Sequence, residues 1–334
     1  MREARAVHTA TTLQDGSVLV AGGFGTGDGD LFDSTEIYSP VSGSFSDGPR
    51  MTSPRYGHTA TLLGDGRVLV AGGFGRSGRY LASAEIYDPD TGSFAPTGPL
   101  AMPRADHTAT LLRDGRVLIA GGVTTGFRFL ATAEVFDPRT DRFTPTGSML
   151  AARESHTATL LLDGRVLIAG GHRGRHEDIT IYDEAELFDP TTGRFERTGT
   201  MTMPRHKHDA VLLADGRVLV LGGDDAADLE IYDGAETYDP RTGRFSEADP
   251  MTEARYKFAG TSVALAGGRV LIAGGAVVPE VYDPADGSFA AIDGSLGVTP
   301  LFAAAARVGR GAVLLTGGYS TTGPASSSAW LIAS

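Results

Sequence analysis

The stretch at residues 55–73 reads RYGHTATLLGDGRVLVAGG. Two runs rich in Thr, Leu and Val flank the Asp65-Gly66 pair, which favours a two-residue β-hairpin turn because it tolerates positive φ. The stretch therefore predicts two antiparallel strands. The run from Val68 to Ala71 is apolar on both faces, which is typical of a strand buried between two layers.

The residues that follow complete a unit of four strands. Residues 84–89 read AEIYDP, a third strand that Pro89 ends, because proline donates no hydrogen bond to a sheet. A Thr91-Gly92 turn then leads into a fourth strand around Phe94. Four consecutive antiparallel strands form one blade of a β-propeller.

The closing Gly-Gly pair recurs through the whole chain at intervals of 50, 49, 49, 52, 52 and 43 residues. The seven pairs are Gly22-Gly23, Gly72-Gly73, Gly121-Gly122, Gly170-Gly171, Gly222-Gly223, Gly274-Gly275 and Gly317-Gly318. A period near fifty with strand content predicts a propeller. We therefore expect an all-β fold and a single domain over residues 1–334, with blades at about 1–50, 51–99, 100–148, 149–200, 201–250, 251–297 and 298–334.

The seventh repeat departs from the others. It lacks the arginine, the histidine and the Asp-Gly turn, and the chain ends at Ser334 after what reads as its third strand. We therefore expect an incomplete last blade: it has three strands, or residues outside this chain complete it.

Composition excludes several classes of function. Acidic residues outnumber basic ones, 41 to 29, and the net charge of −12 argues against nucleic acid or an anionic membrane as partner. The absence of cysteine excludes disulfides, thiolate metal ligands and cysteine nucleophiles. The sequence shows no membrane span and no export signal, so we expect a soluble monomer. It is cytoplasmic if Met1 is the natural start, and secreted if the chain is a mature fragment.

The repeated features together resemble the kelch-repeat family, most closely bacterial members. They are the Gly-Gly pair, the Glu-x-Tyr-Asp-Pro segment, the fourth-strand aromatic residue and an Arg-x-x-His-Thr-Ala opening, and they cover Arg5 to about Leu315. The resemblance implies a propeller with longer loops on one face, but no particular activity, because kelch propellers serve as scaffolds, sugar oxidases and epimerases. Copper-radical oxidases of this fold need a tyrosine crosslinked to cysteine, which this chain lacks.

Three repeated residue types have structural interpretations. Five histidines, His8, His58, His107, His156 and His208, lie on different blades, so they do not converge on one metal ion and we expect them to bond neighbouring blades. The repeated glutamates are Glu36, Glu85, Glu134, Glu186, Glu236 and Glu280, and they are placed to pair with the repeated arginines. Those arginines either brace their loops or form an anion-binding collar at the channel mouth: Arg5, Arg55, Arg104, Arg153, Arg205 and Arg255.

Positions that differ between repeats are better candidates for a site, because no blade requires a particular residue there. Two residues after each arginine stand Val7, Gly57, Asp106, Ser155, Lys207 and Lys257. One residue after it stand Ala6, Tyr56, Ala105, Glu154, His206 and Tyr256. After each Gly-Gly stand Phe24, Phe74, Val123, His172, Asp224, Ala276 and Tyr319. These positions emerge at one end of every blade. Their residues are mainly apolar in blades 1–3 and mainly charged in blades 4–6.

This contrast predicts a pocket with an apolar wall and a charged wall at the channel mouth, although a solvated network of salt bridges would give the same pattern. We expect it to bind a small or medium-sized ligand. The expected ligand contacts are Arg55, Arg104, Arg153, Arg205, Arg255, Tyr56, Tyr256, His206, Phe24, Phe74 and Tyr319.

Two other functions remain open. The same cleft suits a cofactor-independent epimerase, cyclase or lyase, with acid–base residues Lys207, Lys257, His172, Glu154 and Asp224. A protein-interaction scaffold would instead present Tyr56, Tyr256, Phe127 and Phe129. We expect no cofactor and no metal: the loops at residues 24–33 and 224–230 carry aspartates but no complete calcium ligand set. The polar loop at residues 172–178 is a lid or a solvated loop.

Overall fold

A computed structural model describes residues 1–27, 30–225, 229–321 and 323–333, and all of their side chains except that of His176. These residues form six four-stranded antiparallel sheets and one three-stranded sheet, each with its strands in chain order. The prediction of a seven-bladed all-β propeller is confirmed. The described helical residues are three 3-10 turns at Arg76–Gly78, Thr125–Phe127 and His176–Asp178. No helix within the described ranges is long and apolar enough to cross a membrane.

The two inner strands of each blade hold the core. The first strands are Thr9–Thr12, Thr59–Leu62, Thr108–Leu111, Thr157–Leu160, Asp209–Leu212, Ser262–Ala264 and Ala304–Val308. The second strands are Val18–Ala21, Val68–Ala71, Val117–Ala120, Val166–Ala169, Val218–Leu221, Val270–Ile272 and Ala312–Thr316. Residues of the second strands are almost all buried, because neighbouring blades cover both of their faces. Leu118 of blade 3, for example, belongs to one apolar cluster with Val166 and Phe188 of blade 4.

The two outer strands lie towards solvent. The third strands are Thr35–Ser39, Ala84–Asp88, Ala133–Asp137, Glu184–Asp189, Ala235–Asp239, Glu280–Asp283 and Ala329–Ala333. The fourth strands are Ser44–Asp47, Ser93–Pro96, Arg142–Pro145, Arg194–Thr200, Arg244–Ala248 and Ser288–Ala291. Two short ribbons join loop residues on one face, Val123–Thr124 with Arg128–Phe129 and His172–Arg173 with Thr180–Ile181.

The ring closes between blade 7 and blade 1. Val18 and Val20 of blade 1 pack with Leu314 of blade 7 in one buried cluster. The N-terminal ammonium donates a hydrogen bond to the carbonyl oxygen of Ser327 at 2.8 Å. Blade 7 has three strands within the described residues, as its shortened repeat predicted. The N-terminal segment therefore contacts blade 7 without adding a fourth strand to it.

The repeated arginines lie inside the propeller. Arg104 has no exposed side-chain surface, and its guanidinium donates to the carbonyl oxygen of Gly121 and to Oε1 of Glu134, both at 2.9 Å. The other glutamate oxygen accepts from the backbone N–H of Ala101. Equivalent buried pairs are Arg5 with Glu36, Arg55 with Glu85, Arg153 with Glu186, Arg205 with Glu236 and Arg255 with Glu280.

These contacts correct the collar interpretation, because a guanidinium that is buried and already bonded has no face for an anion in the channel. The residues removed from the set of expected ligand contacts are Arg55, Arg104, Arg153, Arg205 and Arg255. The alternative interpretation, that each arginine braces its own loop, agrees with these contacts. The glutamates pair with them as predicted.

The repeated histidines bond each blade to the one before it. Nε2 of His58 in blade 2 lies 3.1 Å from Oγ1 of Thr9 in blade 1, and His8 reaches Thr316 of blade 7 at 2.9 Å. His107, His156 and His208 repeat the contact with the preceding blade at 3.0–3.1 Å. Burial lowers the pKa of His8 and of His156 to about 3, so both imidazoles are neutral. The structural interpretation of these histidines agrees with their contacts.

The Gly-Gly pairs accommodate the start of the next blade. Gly72 has φ +64°, and a Cβ atom there would lie 2.5 Å from the carbonyl oxygen of Arg104 and 2.8 Å from Cε1 of His107. The second glycine, Gly73, donates its N–H to that same carbonyl oxygen at 2.8 Å. Both the positive φ and the close approach of the next blade therefore require glycine.

Candidate functional site

Seven residues, one from each blade, line the central channel in a left-handed backbone conformation. Their φ values lie between 51° and 60°, and we call them the channel ring: Val7, Gly57, Asp106, Ser155, Lys207, Lys257 and Phe302. The backbone N–H groups of Val7, Gly57, Asp106, Lys207, Lys257 and Phe302 each donate to the carbonyl oxygen of the preceding member at 2.7–3.3 Å. The backbone thus fixes the ring, which leaves its side chains free to vary. The sequence singled out six of these positions because they vary.

Two cavities meet at the channel ring. The mouth cavity has a volume of about 410 Å³ and is lined by Val7, Tyr56, Asp106, Glu154, Ser155, His172, Gly174, Arg175, Ile179, His206, Lys207 and Phe302. The channel cavity, about 300 Å³, lies among the first strands and shares Val7, Asp106, Ser155, Lys207 and Phe302 with the mouth. Eight of these twelve residues of the mouth lining come from the three sets of loop positions that differ between repeats.

Backbone pairing brings together two of these sets, the residues just before the channel ring and the residues just after each Gly-Gly pair. In blades 1–5 and in blade 7, the residue before the ring member forms an antiparallel bridge with the residue after Gly-Gly. The pairs are Ala6 with Phe24, Tyr56 with Phe74, Ala105 with Val123, Glu154 with His172, His206 with Asp224 and Leu301 with Tyr319. Each bridge holds two side chains next to each other. The same pairing therefore builds an aromatic pair in blade 2 and ionisable pairs in blades 4 and 5.

The ionisable pairs of blades 4 and 5 join into one buried chain. Oε1 of Glu154 lies 3.3 Å from Nε2 of His172, and Nδ1 of His172 lies 3.0 Å from Nδ1 of His206. Nε2 of His206 lies 2.8 Å from Oδ1 of Asp224. The other oxygen of Asp224 lies 3.3 Å from Nζ of Lys207. Four of the five predicted acid–base residues are thus in contact, together with His206, which the sequence predicted only as a ligand contact.

Glu154 begins this chain at the wall of the mouth cavity. Its side chain is 8% exposed, and Oε2 is buried with no hydrogen-bond partner among the described residues. Arg175 is the nearest cation, 3.9 Å from Oε1. A buried acceptor without a partner is costly, so this oxygen is suited to a donor group from a ligand.

Asp106 faces the same cavity from the channel ring. Loss of solvation, and secondarily the charge of Glu154, raise its pKa to about 7, while Arg175 opposes the shift. The neighbouring ring residue is Gly57, where a Cβ atom would lie 2.6 Å from Oδ1 of Asp106. Glycine at that position leaves room for the carboxylate. The sequence showed Asp106 as a variable position but not as an acid–base residue, since the shift arises from tertiary neighbours.

A cluster of aromatic side chains lies beside the mouth cavity and reaches it through Tyr56. The rings of Tyr56 and Phe74 stack at 5.2 Å, with Phe24 against Tyr56 at 5.5 Å and Tyr80 against Phe74 at 4.0 Å. A third cavity, of about 730 Å³, is lined by Phe24, Tyr56 and Phe74 and includes Tyr319. Tyr80 was missed by the sequence analysis because it lies in a loop without a repeated pattern. Burial raises its pKa to about 12.

Comparisons with known proteins agree with this architecture. Residues 93–275, more than half of the chain, match the KLHDC2/KLHL20/DRC7 Kelch-repeats domain, and residues 54–100 match the Kelch motif. The chain belongs to the kelch-repeat family. No curated protein matches its sequence.

Among solved structures, this kelch propeller is similar to a novel fungal alcohol oxidase with catalytic diversity among the AA5 family, in complex with copper. The TM-score is 0.75 at 17% identity, over 95% of this chain and 70% of the oxidase. An identity this low shows a shared fold alone. Within the described residues of the kelch chain, no group of three or more histidine, aspartate or glutamate side chains is spaced to hold a metal ion.

Some predicted residues of the kelch propeller lie away from the mouth cavity. Lys257 lines the channel cavity, and its ammonium lies 4.7 Å from the ring centre of Tyr256. The structure therefore does not bring Lys257 to Glu154 and His172. Asp28, Gly29 and Asp228 of the two acidic loops lie outside the described residues.

The aromatic residues proposed for a scaffold differ in exposure. Phe127 is 54% exposed, and the guanidinium of Arg175 lies 4.1 Å from its ring centre. Phe129 is half-buried with its ring 5.5 Å from that of His172. Tyr56 thus lines the mouth cavity, whereas Phe127 and Phe129 pack beside it against Arg175 and His172.

Proposed function

We propose that this kelch propeller binds a small or medium-sized ligand in the mouth cavity. The observation that carries the proposal is the buried Oε2 of Glu154, an acceptor without a partner among the described residues, at the wall of a cavity of about 410 Å³. An apolar and aromatic lining with a few fixed polar groups is the usual composition of a small-molecule site. Tyr56 supplies apolar contact there, while Glu154 and Asp106 supply hydrogen-bond acceptors.

A panel of polyols, sugars, amines and carboxylic acids tests this function through the melting temperature. A ligand at one hundred times its Kd stabilises the folded state by about 2.7 kcal/mol, enough to shift the midpoint measurably. Glu154→Leu removes the acceptor and is expected to abolish the shift. Glu177→Gln, which changes an exposed residue beyond the cavity lining, is the matched control and is expected to keep it. A panel without any shift, or an equal shift in Glu154→Leu, contradicts the proposal.

A second candidate function is cofactor-independent acid–base catalysis in the same cavity. It is favoured by Asp106, whose carboxyl has a pKa of about 7 and so accepts and donates protons near neutral pH. Under this function, Asp106→Asn abolishes conversion of a bound compound and retains its melting-temperature shift. Conversion that survives in Asp106→Asn contradicts the catalytic role of this residue. A protein-interaction scaffold predicts instead that no small molecule shifts the melting temperature and that a partner copurifies.

A further inference from the structure

Two carboxylates from neighbouring blades line the mouth cavity, Asp106 of blade 3 and Glu154 of blade 4. The side chain of Glu154 is 8% exposed, and its Oε2 accepts no hydrogen bond from the described residues. Asp106 lies on the channel ring, and no lysine or arginine in the described part of the chain forms an ion pair with it. Two negative groups in one cavity repel each other, so the cavity favours a positively charged occupant.

The two cations of the cavity lining are held by other contacts. Nζ of Lys207 lies 3.3 Å from Oδ2 of Asp224. The guanidinium of Arg175 lies over the ring of Phe127, 4.1 Å from its centre, and Nη2 is 3.9 Å from Oε1 of Glu154. A distance of 3.9 Å is too long for a hydrogen bond. Neither cation therefore donates to Oε2 of Glu154.

The protonation of the neighbouring groups agrees with this shortage of positive charge. Nε2 of His172 lies 3.3 Å from Oε1 of Glu154, but burial lowers the pKa of His172, so its imidazole is neutral at pH 7 and does not balance the carboxylate. Loss of solvation, and secondarily the charge of Glu154, raise the pKa of Asp106 to about 7. A cation in the cavity would offset both effects.

The rest of the lining indicates that this cation is organic. No three histidine, aspartate or glutamate side chains of the described residues are spaced to hold a metal ion. Apolar side chains line the cavity beside the carboxylates: Val7, Tyr56, Ile179 and Phe302. These side chains suit an apolar body, and the ring of Tyr56 can also attract a cation over its face.

We propose that the mouth cavity binds an organic amine as its ammonium ion, held by the carboxylates of Glu154 and Asp106. The apolar body of the amine packs against Val7, Ile179 and Phe302. This inference rests on the proposed function and narrows it to one class of ligand. An ammonium group has three N–H donors, so it can serve both carboxylates at once. A neutral alcohol has one donor and no charge, and an anionic ligand would add a third negative group.

Three probes of similar size and different charge test the class of ligand: phenethylamine, 2-phenylethanol and 3-phenylpropanoate. Calorimetric titration of the full chain at pH 8, where Asp106 is mainly ionised, gives their affinities. We expect phenethylamine to bind at least about tenfold more tightly than 2-phenylethanol, because hydrogen bonds between charged groups are stronger than neutral ones. We expect 3-phenylpropanoate to bind most weakly. Equal affinities for the three probes, or tighter binding of the alcohol or the carboxylate, would overturn the proposal.

Two variants test the residues, since Glu154→Gln and Asp106→Asn each remove one negative charge and keep the size of the side chain. Each is expected to weaken phenethylamine binding by about tenfold or more and to leave the affinity for 2-phenylethanol nearly unchanged. Glu177→Gln removes an exposed charge beyond the cavity lining and should bind phenethylamine as the wild type does. If Glu154→Gln does not fold, Asp106→Asn decides, because asparagine tolerates the φ of 53° at this ring position. Unchanged phenethylamine affinity in either folded variant contradicts the proposal.

The same titrations separate this inference from the proposed function. If 2-phenylethanol or 3-phenylpropanoate binds as tightly as phenethylamine, the cavity is a ligand site but not one for ammonium ions. The inference is then wrong and the proposed function stands. If neither these probes nor any compound of the wider panel binds, both are wrong.

Discussion

The carboxylate of Asp209 on blade 5 accepts a hydrogen bond from the backbone N–H of Ser262 on blade 6, at 2.7 Å. It also accepts from Gly260 and Thr261, at 2.9 and 3.0 Å. At the four preceding junctions, from blades 1 and 2 to blades 4 and 5, a first-strand threonine bonds the histidine of the next blade. Blade 6 has Phe258 in place of that histidine, and Asp209 replaces the threonine. Two departures from the repeat thus compensate for each other.

We expect Asp209→Asn to destabilise the protein by about 1–3 kcal/mol, the cost of leaving buried backbone donors without an acceptor. Both carboxylate oxygens accept backbone N–H groups, and the amide nitrogen of asparagine would turn one of these contacts into two opposed donors. Urea unfolding measures the change. Asp215→Asn, at an exposed hairpin turn, is the control and should have little effect. Equal effects of the two substitutions would show that the junction does not depend on Asp209.

Acid should unfold this propeller steeply, because burial holds the pKa of five histidines below the unfolded value of 6.5. The folded state then binds fewer protons than the unfolded state, so stability is fully present above pH 6.5 and is lost as the pH falls. Below that pH, each histidine lowers the free energy of unfolding by about 1.4 kcal/mol per pH unit, and the five together lower it by about 7 kcal/mol per pH unit. This is comparable to the whole stability of many domains.

Urea midpoints measured from pH 8 to pH 5 test this dependence. His156→Gln removes one of the five titrating groups, and its slope of stability against pH should be smaller than that of the wild type by one proton. A stability that does not change between pH 7 and pH 5.5 would contradict the burial of neutral histidines between the blades.

The sequence predicts best those features of the structure that recur in successive blades. Features that recur in blades 1–6, such as the pairing of Arg104 with Glu134, were predictable because each copy repeats the same residues at the same spacing. The candidate site was predictable only in part. Positions such as Glu154 and His172 stood out as deviations, but their contact with each other depends on backbone bridges in the loops. Tyr80 could not be found, because it lies in a loop of irregular length.

Removing one partner of a buried ion pair should cost far more than removing an exposed one. We expect Arg104→Met to destabilise the protein by about 3–5 kcal/mol, because Glu134 would remain buried without its cation. Arg139→Met breaks a similar pair with Asp137, but the arginine side chain is 77% exposed, so stability should hardly change. Urea unfolding of both variants gives the comparison. A small effect for Arg104→Met would mean that Glu134 is readily hydrated or protonated.

Arg175 should set the protonation of Asp106 across the mouth cavity. Its guanidinium favours the ionised carboxylate, against burial and the charge of Glu154, which both raise the pKa to about 7. Arg175→Met removes the only one of these influences that lowers the pKa, so the midpoint of Asp106 should rise further and the carboxyl should be mainly neutral at pH 7. Carbon-13 NMR of labelled aspartate measures the midpoint. Arg173→Met, an exposed arginine of the same loop, should leave it unchanged. An unchanged midpoint in Arg175→Met would mean that solvent screens this charge from the cavity, and Asp106 would then owe its pKa to burial and Glu154 alone.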